Sequence, residues 1–199
     1  LYERGISLSG LSKSFALPGL RIGWVRAPRS LRPQLTVAKQ AADLHTSTID
    51  QAAAAAYLAA ADLDAHVARL RQVYAPRRDA MIAALPGVLP PGSTWSDPDG
   101  GMFVWVRLPG AVDTAAMLPA AIGQRVAYVP GAPFFAATPD QATLRLSFVT
   151  HPAATITAGL ARLGQVLGQV LGQVLGQPAP CPARPAAALR PAAGGRRWR

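Results

Sequence analysis

Short apolar runs alternate with helical patterns through residues 63–164, and this alternation limits the chain to a mixed α/β arrangement. In chain order the predicted elements are a helix from Leu63 that Pro76 should bend or restart, a break at 86–93, a strand at 102–106, a helix at 113–122 capped by Asp113, strands at 126–130 and 143–149, and a helix at 152–164. Strands and helices in this order build a layer of helices on a sheet. The second half therefore predicts a small α/β domain.

The amino-terminal part of the chain has a different pattern. Two strand-like runs, at 5–9 and 20–26, are separated by a loop rich in Gly, Ser and Pro. Helices are predicted at about 30–42 and 48–61, the second with Ser47 or Thr48 as its N-cap. A domain rarely begins with a strand that has no neighbours, so we expect the chain to be truncated at its amino end.

Charge and cysteine content restrict the class of protein. The net charge is +10, but five of the 20 basic residues fall in 178–199, which leaves 15 against 10 Asp and Glu elsewhere. Charge is therefore weak evidence for nucleic-acid binding by the main body. The only cysteine is Cys181, so there is no disulfide framework, and the three histidines are too scattered for a metal site. With no signal peptide or membrane span, a cytoplasmic location is expected.

A repeat of period four, LGQVLGQVLGQVLGQ, occupies residues 163–177. The period is too short for a solenoid and fits a heptad poorly. Its glycines each cost a helix about 1 kcal/mol. We therefore expect the last helix to end near 164, and residues 165–199 to be a repeat followed by a disordered tail.

Lys13 is one of only two lysines and lies in a predicted turn between two strands, flanked by Ser12 and Ser14. Arg21 follows on the predicted second strand. A lysine amine can form a Schiff base with a carbonyl cofactor, and an arginine can clamp a phosphate through two parallel hydrogen bonds. These residue types are compatible with an aldehyde-and-phosphate site. Their spacing alone, however, favours an exposed loop lysine and a solvated arginine.

The run SGLSKSFALPGLRIGW, residues 9–24, resembles the signature around the cofactor lysine of class I/II aminotransferases, which are fold type I pyridoxal-phosphate enzymes. The resemblance implies that Lys13 forms the Schiff base with pyridoxal 5'-phosphate and acts as general base. It implies that Arg21 binds the cofactor phosphate and that Ser9 and Ser12 are further cofactor-binding residues. Many relatives carry Ser or Thr three residues before the lysine, where this chain has Gly10, so the second phosphate ligand is less well defined.

The resemblance continues to about residue 164. In TLRLSFV it implies that Arg145 grips the substrate carboxylate, as a planar guanidinium can. Alternation with Leu144 and Leu146 places Arg145 on the face of the strand away from the core. An ordinary exposed strand residue would have the same position. The implied fold is α/β, with a remnant of the cofactor-binding large domain at 1–75 and a small domain at 76–164.

Within the family, DLHTSTIDQ and GMFVWVRLP are most similar to 2-aminoadipate-type aminotransferases and to the aminotransferase-like domains of GntR-type regulators. The leading expectation is a homodimeric enzyme, when intact, that moves an amino group between an amino acid and a 2-oxo acid. A regulator with an upstream DNA-binding domain, a lyase or decarboxylase, and an inactive truncated product remain alternatives. The family's other cofactor-binding groups precede the lysine, so we expect the 199-residue chain alone to be inactive.

Overall fold

The computed structural model describes residues 5–176. The strands in this range are β1 (Ser7–Gly10), β2 (Gly23–Arg26), β3 (Thr94–Trp95), β4 (Phe103–Arg107), β5 (Val129–Pro130) and β6 (Thr143–Ser147). The α-helices are α1 (Leu11–Ser14), α2 (Arg32–Asp43), α3 (Thr48–Ala60), α4 (Leu63–Val88), α5 (Thr114–Gly123) and α6 (Ala153–Gly176). Short 3₁₀ turns cover Pro18–Leu20, Arg29–Leu31 and Ala132–Phe134. The predicted α/β class is confirmed.

The amino-terminal region pairs β1 with β2 as an antiparallel two-stranded ribbon, in which Ser9 lies opposite Trp24. The second strand is shorter than the predicted 20–26 because a 3₁₀ turn ends in the left-handed Arg21, which has φ 50°. Helix α3 begins as predicted, since the Ser47 side chain accepts a hydrogen bond from the Asp50 N–H at 3.3 Å.

The second sheet has the strand order β3-β4-β6-β5, and all its neighbours are antiparallel. The strand predicted at 126–130 is reduced to its last two residues. The reason is that Val126 still closes the end of α5, where its N–H donates to the Ala121 carbonyl at 2.9 Å. The two-residue β3 was not predicted, because so short a pairing leaves no periodicity to detect.

Helices α4, α5 and α6 cover one face of this sheet. The buried core joins residues from all three helices to alternate positions of β4 and β6; its fully buried members include Leu85, Val104, Val106, Leu108, Leu144 and Leu163. Burying a side chain of this size stabilises the fold by roughly 1.5–3 kcal/mol. Asp113 caps α5 as predicted, accepting from the Ala115 and Ala116 N–H groups.

Two predicted helix boundaries are wrong. Helix α4 continues through Pro76 and Pro86 to Val88, so the predicted break at 86–93 begins later. Helix α6 runs to Gly176 instead of ending near 164, because Val166 and Leu167 are buried in the core and stabilise the repeat as helix. Packing here outweighs the unfavourable helix propensity of glycine.

Gly164 allows α6 to approach the end of α4 closely. A Cβ at this position would lie 3.2 Å from both the Cβ and the carbonyl oxygen of Val88. The predicted tail, residues 177–199 with Cys181, lies outside the described residues. None of the helices within residues 5–176 is long and apolar enough to cross a bilayer.

Candidate active site

Lys13 lies in α1, within the connection from β1 to β2, as predicted. Leu11 anchors the beginning of this turn: its side chain is buried, and its N–H donates to the Ile22 carbonyl at 3.2 Å. The end of the turn is held by His66 of α4, whose Nε2 donates to the Phe15 carbonyl oxygen at 2.8 Å. The connection is therefore attached at both ends, while the Lys13 side chain is exposed.

A cavity of about 380 Å³ opens beside Lys13. Its lining comes from α1, α4, the 99–102 loop and the end of β6: Lys13, Ser14, Val67, Leu70, Arg71, Tyr74, Ala75, Arg78, Asp99, Gly100, Gly101, Met102 and Phe148. Three of these side chains are cationic and one is a carboxylate, so the cavity favours an anionic ligand. A hydrogen bond to Asp79 raises the pKa of Arg78, and the Asp79 carboxylate, 2.7 Å from Arg78 Nη2, balances part of its charge.

Arg145 lies on β6, opposite Trp105 of β4 and on the face of the sheet away from the core, as predicted. Its Cζ lies 4.0 Å from the ring centroid of Phe103 and 4.8 Å from that of Phe134. Arg145 Nε is buried and has no hydrogen-bond partner among residues 5–176. The guanidinium is thus held between two aromatic faces, and its outer N–H groups remain available to bind an anion.

Phe103 brings the two predicted groups to one place. Lys13 Nζ lies 5.4 Å from the centroid of the same ring that Arg145 stacks on. The amine comes from the amino-terminal ribbon and the guanidinium from the second sheet, so the fold assembles a site from distant parts of the sequence. An amine that could bind a carbonyl compound and a fork that could bind a carboxylate share one aromatic surface.

Gly131 fixes the turn that carries Phe134. A Cβ on Gly131 would lie 2.0 Å from Thr143 Oγ1 and 2.9 Å from the Thr143 backbone carbon. The Gly131 N–H also donates to the Thr143 carbonyl at 2.7 Å. Only a residue without a side chain fits this close approach, so the glycine sets the position of Phe134 relative to β6.

The other predicted site residues lie along the β1–β2 connection. Arg21 precedes β2 instead of lying on it, and its Nη1 donates to the Pro18 carbonyl at 3.0 Å. Ser9 is exposed in β1, and Ser12 is half-buried in α1. At Gly10 a Cβ would lie 3.0 Å from the Ile22 carbonyl oxygen, which explains sterically why this chain has glycine there.

Aromatic residues were the least well predicted part of the site. Their apolar rings favour a core position for Trp24, Trp95 and Trp105, and Trp95 does pack against the core. Trp24, however, is 49% exposed, and Trp105 faces away from the core toward Phe134 and Phe135. The roles of Phe103 and Phe134 were not predicted. Side chains two positions apart on a strand share a face, so the spacing of Phe103 and Trp105 in β4 was the available signal that their rings lie together.

A model of the family described as aminotransferase class I and II matches residues 2–163. The chain belongs to this family. Aromatic-amino-acid aminotransferase 1 of Thermococcus litoralis is 43% identical over 164 residues, which are 82% of this chain and 39% of that protein.

A solved structure of this family is also similar in fold. The α-aminoadipate aminotransferase LysN of Thermus thermophilus, complexed with N-(5'-phosphopyridoxyl)-L-leucine, superposes with a TM-score of 0.75 at 36% identity. The match covers 84% of this chain and 43% of that one. The expected fold type I aminotransferase architecture is therefore confirmed for the part of the family fold that this chain contains.

An HTH-type transcriptional regulator of Bacillus subtilis, YdfD, is 28% identical over 160 residues, covering 80% of this chain and 33% of that protein. The similarity to regulators noted from the sequence is thus confirmed as well. The chain spans about 40% of the length of the curated aminotransferases that it matches.

Proposed function

We propose that a longer protein containing this chain transfers the amino group of an amino acid to a 2-oxo acid, with pyridoxal 5'-phosphate as cofactor. The observation that carries this proposal is the approach of Lys13 and Arg145 to the same ring, that of Phe103. A reaction that starts from an amino acid requires one group near the cofactor and another at the substrate carboxylate. These two side chains meet that requirement.

The residues around Lys13 fit the cofactor. Among the described residues, the Lys13 amine has no hydrogen bond or ion pair, and the adjoining cavity is cationic. Arg21 uses one Nη on the Pro18 carbonyl and keeps further donors for a phosphate, for which Ser9 and Ser12 are additional candidate ligands. Pyridoxal phosphate supplies an aldehyde for the lysine amine and a ring that accepts electrons.

Each residue has a defined task in this proposal. Lys13 Nζ binds the cofactor and then moves the proton at the substrate α-carbon as general base. Arg145 orients the substrate by binding its carboxylate through two N–H groups. Since the named relatives act on aromatic amino acids or on aminoadipate, both substrate classes are the first to assay.

The test uses the gene's upstream coding sequence to produce the longer protein. Lys13→Ala should abolish both the absorbance of the Schiff base and amino transfer to 2-oxoglutarate. The matched control is Lys39→Ala, which removes the chain's other lysine, ion-paired with Asp43 on α2. A Lys13→Ala protein that retains the Schiff-base absorbance would show that the lysine is wrongly assigned. A native protein that releases product without amino transfer would identify a lyase or decarboxylase.

The domain division and assembly are part of the same proposal. We propose that residues 1–75 belong to the cofactor-binding large domain and 76–164 to the small domain. The exposed apolar residues of α2 and α3, Val37 and Ile49 among them, support packing on the rest of that domain and on a second subunit. Sedimentation of the longer protein tests the homodimer.

A second candidate is a transcription regulator with an aminotransferase-like effector domain, and the similarity to YdfD favours it. In that case the same site would bind pyridoxal phosphate and an amino acid, and the binding would regulate an upstream DNA-binding domain. The coding sequence before residue 1 distinguishes the two. A helix-turn-helix pattern about 250 residues upstream supports the regulator, and its absence supports the enzyme.

A further inference from the structure

We infer that Phe103 and Phe134 are positioning residues that clamp the Arg145 guanidinium, so that its outer N–H edge points toward the substrate carboxylate. The inference rests on the proposed role of Arg145. It assigns to the two rings a task that an apolar side chain of similar size cannot perform, namely fixing the plane of the fork.

The geometry is that of a cation between two aromatic faces. The guanidinium carbon lies 4.0 Å from the Phe103 centroid and 4.8 Å from the Phe134 centroid, well inside the range of about 6 Å for a cation–π contact. The two rings belong to different elements, β4 and the Ala132–Phe134 turn. Because both rings contact it, the guanidinium plane has little freedom to turn about the Cδ–Nε bond.

Hydrogen bonding within residues 5–176 does not supply this restraint. Arg145 Nε is buried without a partner there, although a buried donor usually has one. An arginine positioned by its inner N–H would donate to a carbonyl or a carboxylate. Here the rings are the observed contacts that hold the charged group, and they leave the outer edge unblocked.

The clamp is itself supported. Trp105 contacts the Phe134 ring edge-on at 5.6 Å and the Phe135 ring at 6.3 Å, and it lies directly opposite Arg145 in the sheet. Gly131 fixes the approach of the Phe134 turn to β6. Phe103 also carries the Lys13 amine on its face, so one ring sets the spacing between the amine and the carboxylate-binding fork.

The clamp can be tested on the 199-residue chain by NMR of its arginine side chains. In the native chain we expect the Arg145 Nε–H signal to show ring-current displacement and slow rotation about the Nε–Cζ bond. Phe134→Leu keeps apolar volume but removes the π face, so displacement should shrink and rotation accelerate. Phe134→Tyr keeps the face and should behave like the native chain. Phe134 is 52% exposed, so both variants should fold, which circular dichroism checks.

Propionate, a simple carboxylate, then probes the consequence for binding, with the Trp105 indole N–H signal as reporter. Phe134→Leu and Phe103→Leu should weaken propionate binding about two- to fivefold, whereas Phe134→Tyr should not. Arg145→Gln should abolish the response.

The outcomes separate the clamp from the proposed function. Equal behaviour of Phe134→Leu and Phe134→Tyr, or a native Arg145 signal without ring-current displacement, overturns the clamp. A clamp that behaves as expected while propionate has no effect on the native chain contradicts carboxylate binding by Arg145 and leaves the restraint on its guanidinium standing.

Discussion

The amino-terminal region, residues 5–62, and the region from Tyr74 to Val170 are both rich in apolar residues, but they use them differently. Within the described residues, the core cluster and the side chains packed against it all fall in the second region. The first region buries Leu11, Ala27 and Ala54 outside that cluster and leaves Leu8 78% exposed.

The contrast teaches that the two halves of the site have different structural support. Arg145 and its rings rest on a sheet whose other face is packed by three helices, so their positions follow from a core within this chain. Lys13 rests on a two-stranded ribbon, which is marginal without further strands or a packed face. We therefore expect the amine side, unlike the carboxylate side, to depend on surfaces beyond residues 5–62.

The largest expected effect compares one apolar truncation in each region. Leu85→Ala removes a fully buried core side chain and should lower the free energy of unfolding by about 2–5 kcal/mol. Ile49→Ala removes a side chain that is 80% exposed and should change it by less than about 0.5 kcal/mol. Urea denaturation followed by circular dichroism measures both. A large cost at Ile49 would mean that the first region has a core of its own.

Glycine-to-alanine substitutions compare the two regions by the space available for an added Cβ. Gly131→Ala places a Cβ 2.0 Å from Thr143 Oγ1 and should cost about 1–3 kcal/mol, with displacement of Phe134 from Arg145. The control from the first region is Gly19→Ala, where no atom lies within 4 Å of the new Cβ. Thermal unfolding gives the stability, and near-ultraviolet circular dichroism follows the aromatic cluster. Equal costs at the two positions would argue against the close Gly131–Thr143 approach.

The repeat helix can be tested at two glycines one repeat apart. Gly168→Ala meets no atom within 4 Å and should stabilise α6 by about 1 kcal/mol. Gly164→Ala brings a Cβ to 3.2 Å from Val88, so packing strain should cancel that gain. If both variants were equally stabilised in thermal melts, the close contact between α6 and α4 would be contradicted.

The smallest effect is a pH dependence of stability at the end of strand β4. The hydrogen bond from Arg107 Nε, 2.7 Å long, lowers the pKa of Asp140, and the Ala142 N–H adds to this effect. The resulting stability is fully present above the ordinary pKa of about 4 and is lost as the pH falls through the lowered value. Asp140→Asn should therefore reduce the fall of the melting temperature with pH between about pH 5 and pH 2. An unchanged acid slope would exclude this ion pair as its source.

Much of the fold was predictable because the periodicity of apolar residues along the chain reflects which side chains pack in the core. Alternation in β6 predicted that Leu144 and Leu146 enter the core, and Asp113 and Ser47 marked helix starts through their side-chain oxygens. The errors arose where tertiary contacts overrode local preference. Helix α6 continues past glycines that disfavour helix because Val166 and Leu167 are buried. Strand β2 begins later than predicted because Arg21 has a left-handed backbone conformation.

The site was predictable only in part. Lys13, Arg21 and Arg145 were identified as site residues because the motifs around them resemble those of class I/II aminotransferases. The spacing of Lys13 and Arg21 alone favoured solvated side chains. The convergence of Lys13 and Arg145 on Phe103 depends on how the ribbon docks against α4 and the second sheet. No local pattern encodes that docking, so the aromatic surface emerges only from the three-dimensional arrangement.

The most direct test of the central claim, that the amine side of the site is incomplete without further surfaces, is a titration of the purified 199-residue chain with pyridoxal phosphate. Borohydride reduction and peptide mapping then compare Lys13 with Lys39. We predict no saturable binding at micromolar cofactor, similar labelling of both lysines and no transamination. Stoichiometric labelling confined to Lys13, with turnover of an amino acid, would contradict the account and show that residues 1–199 contain a self-sufficient site.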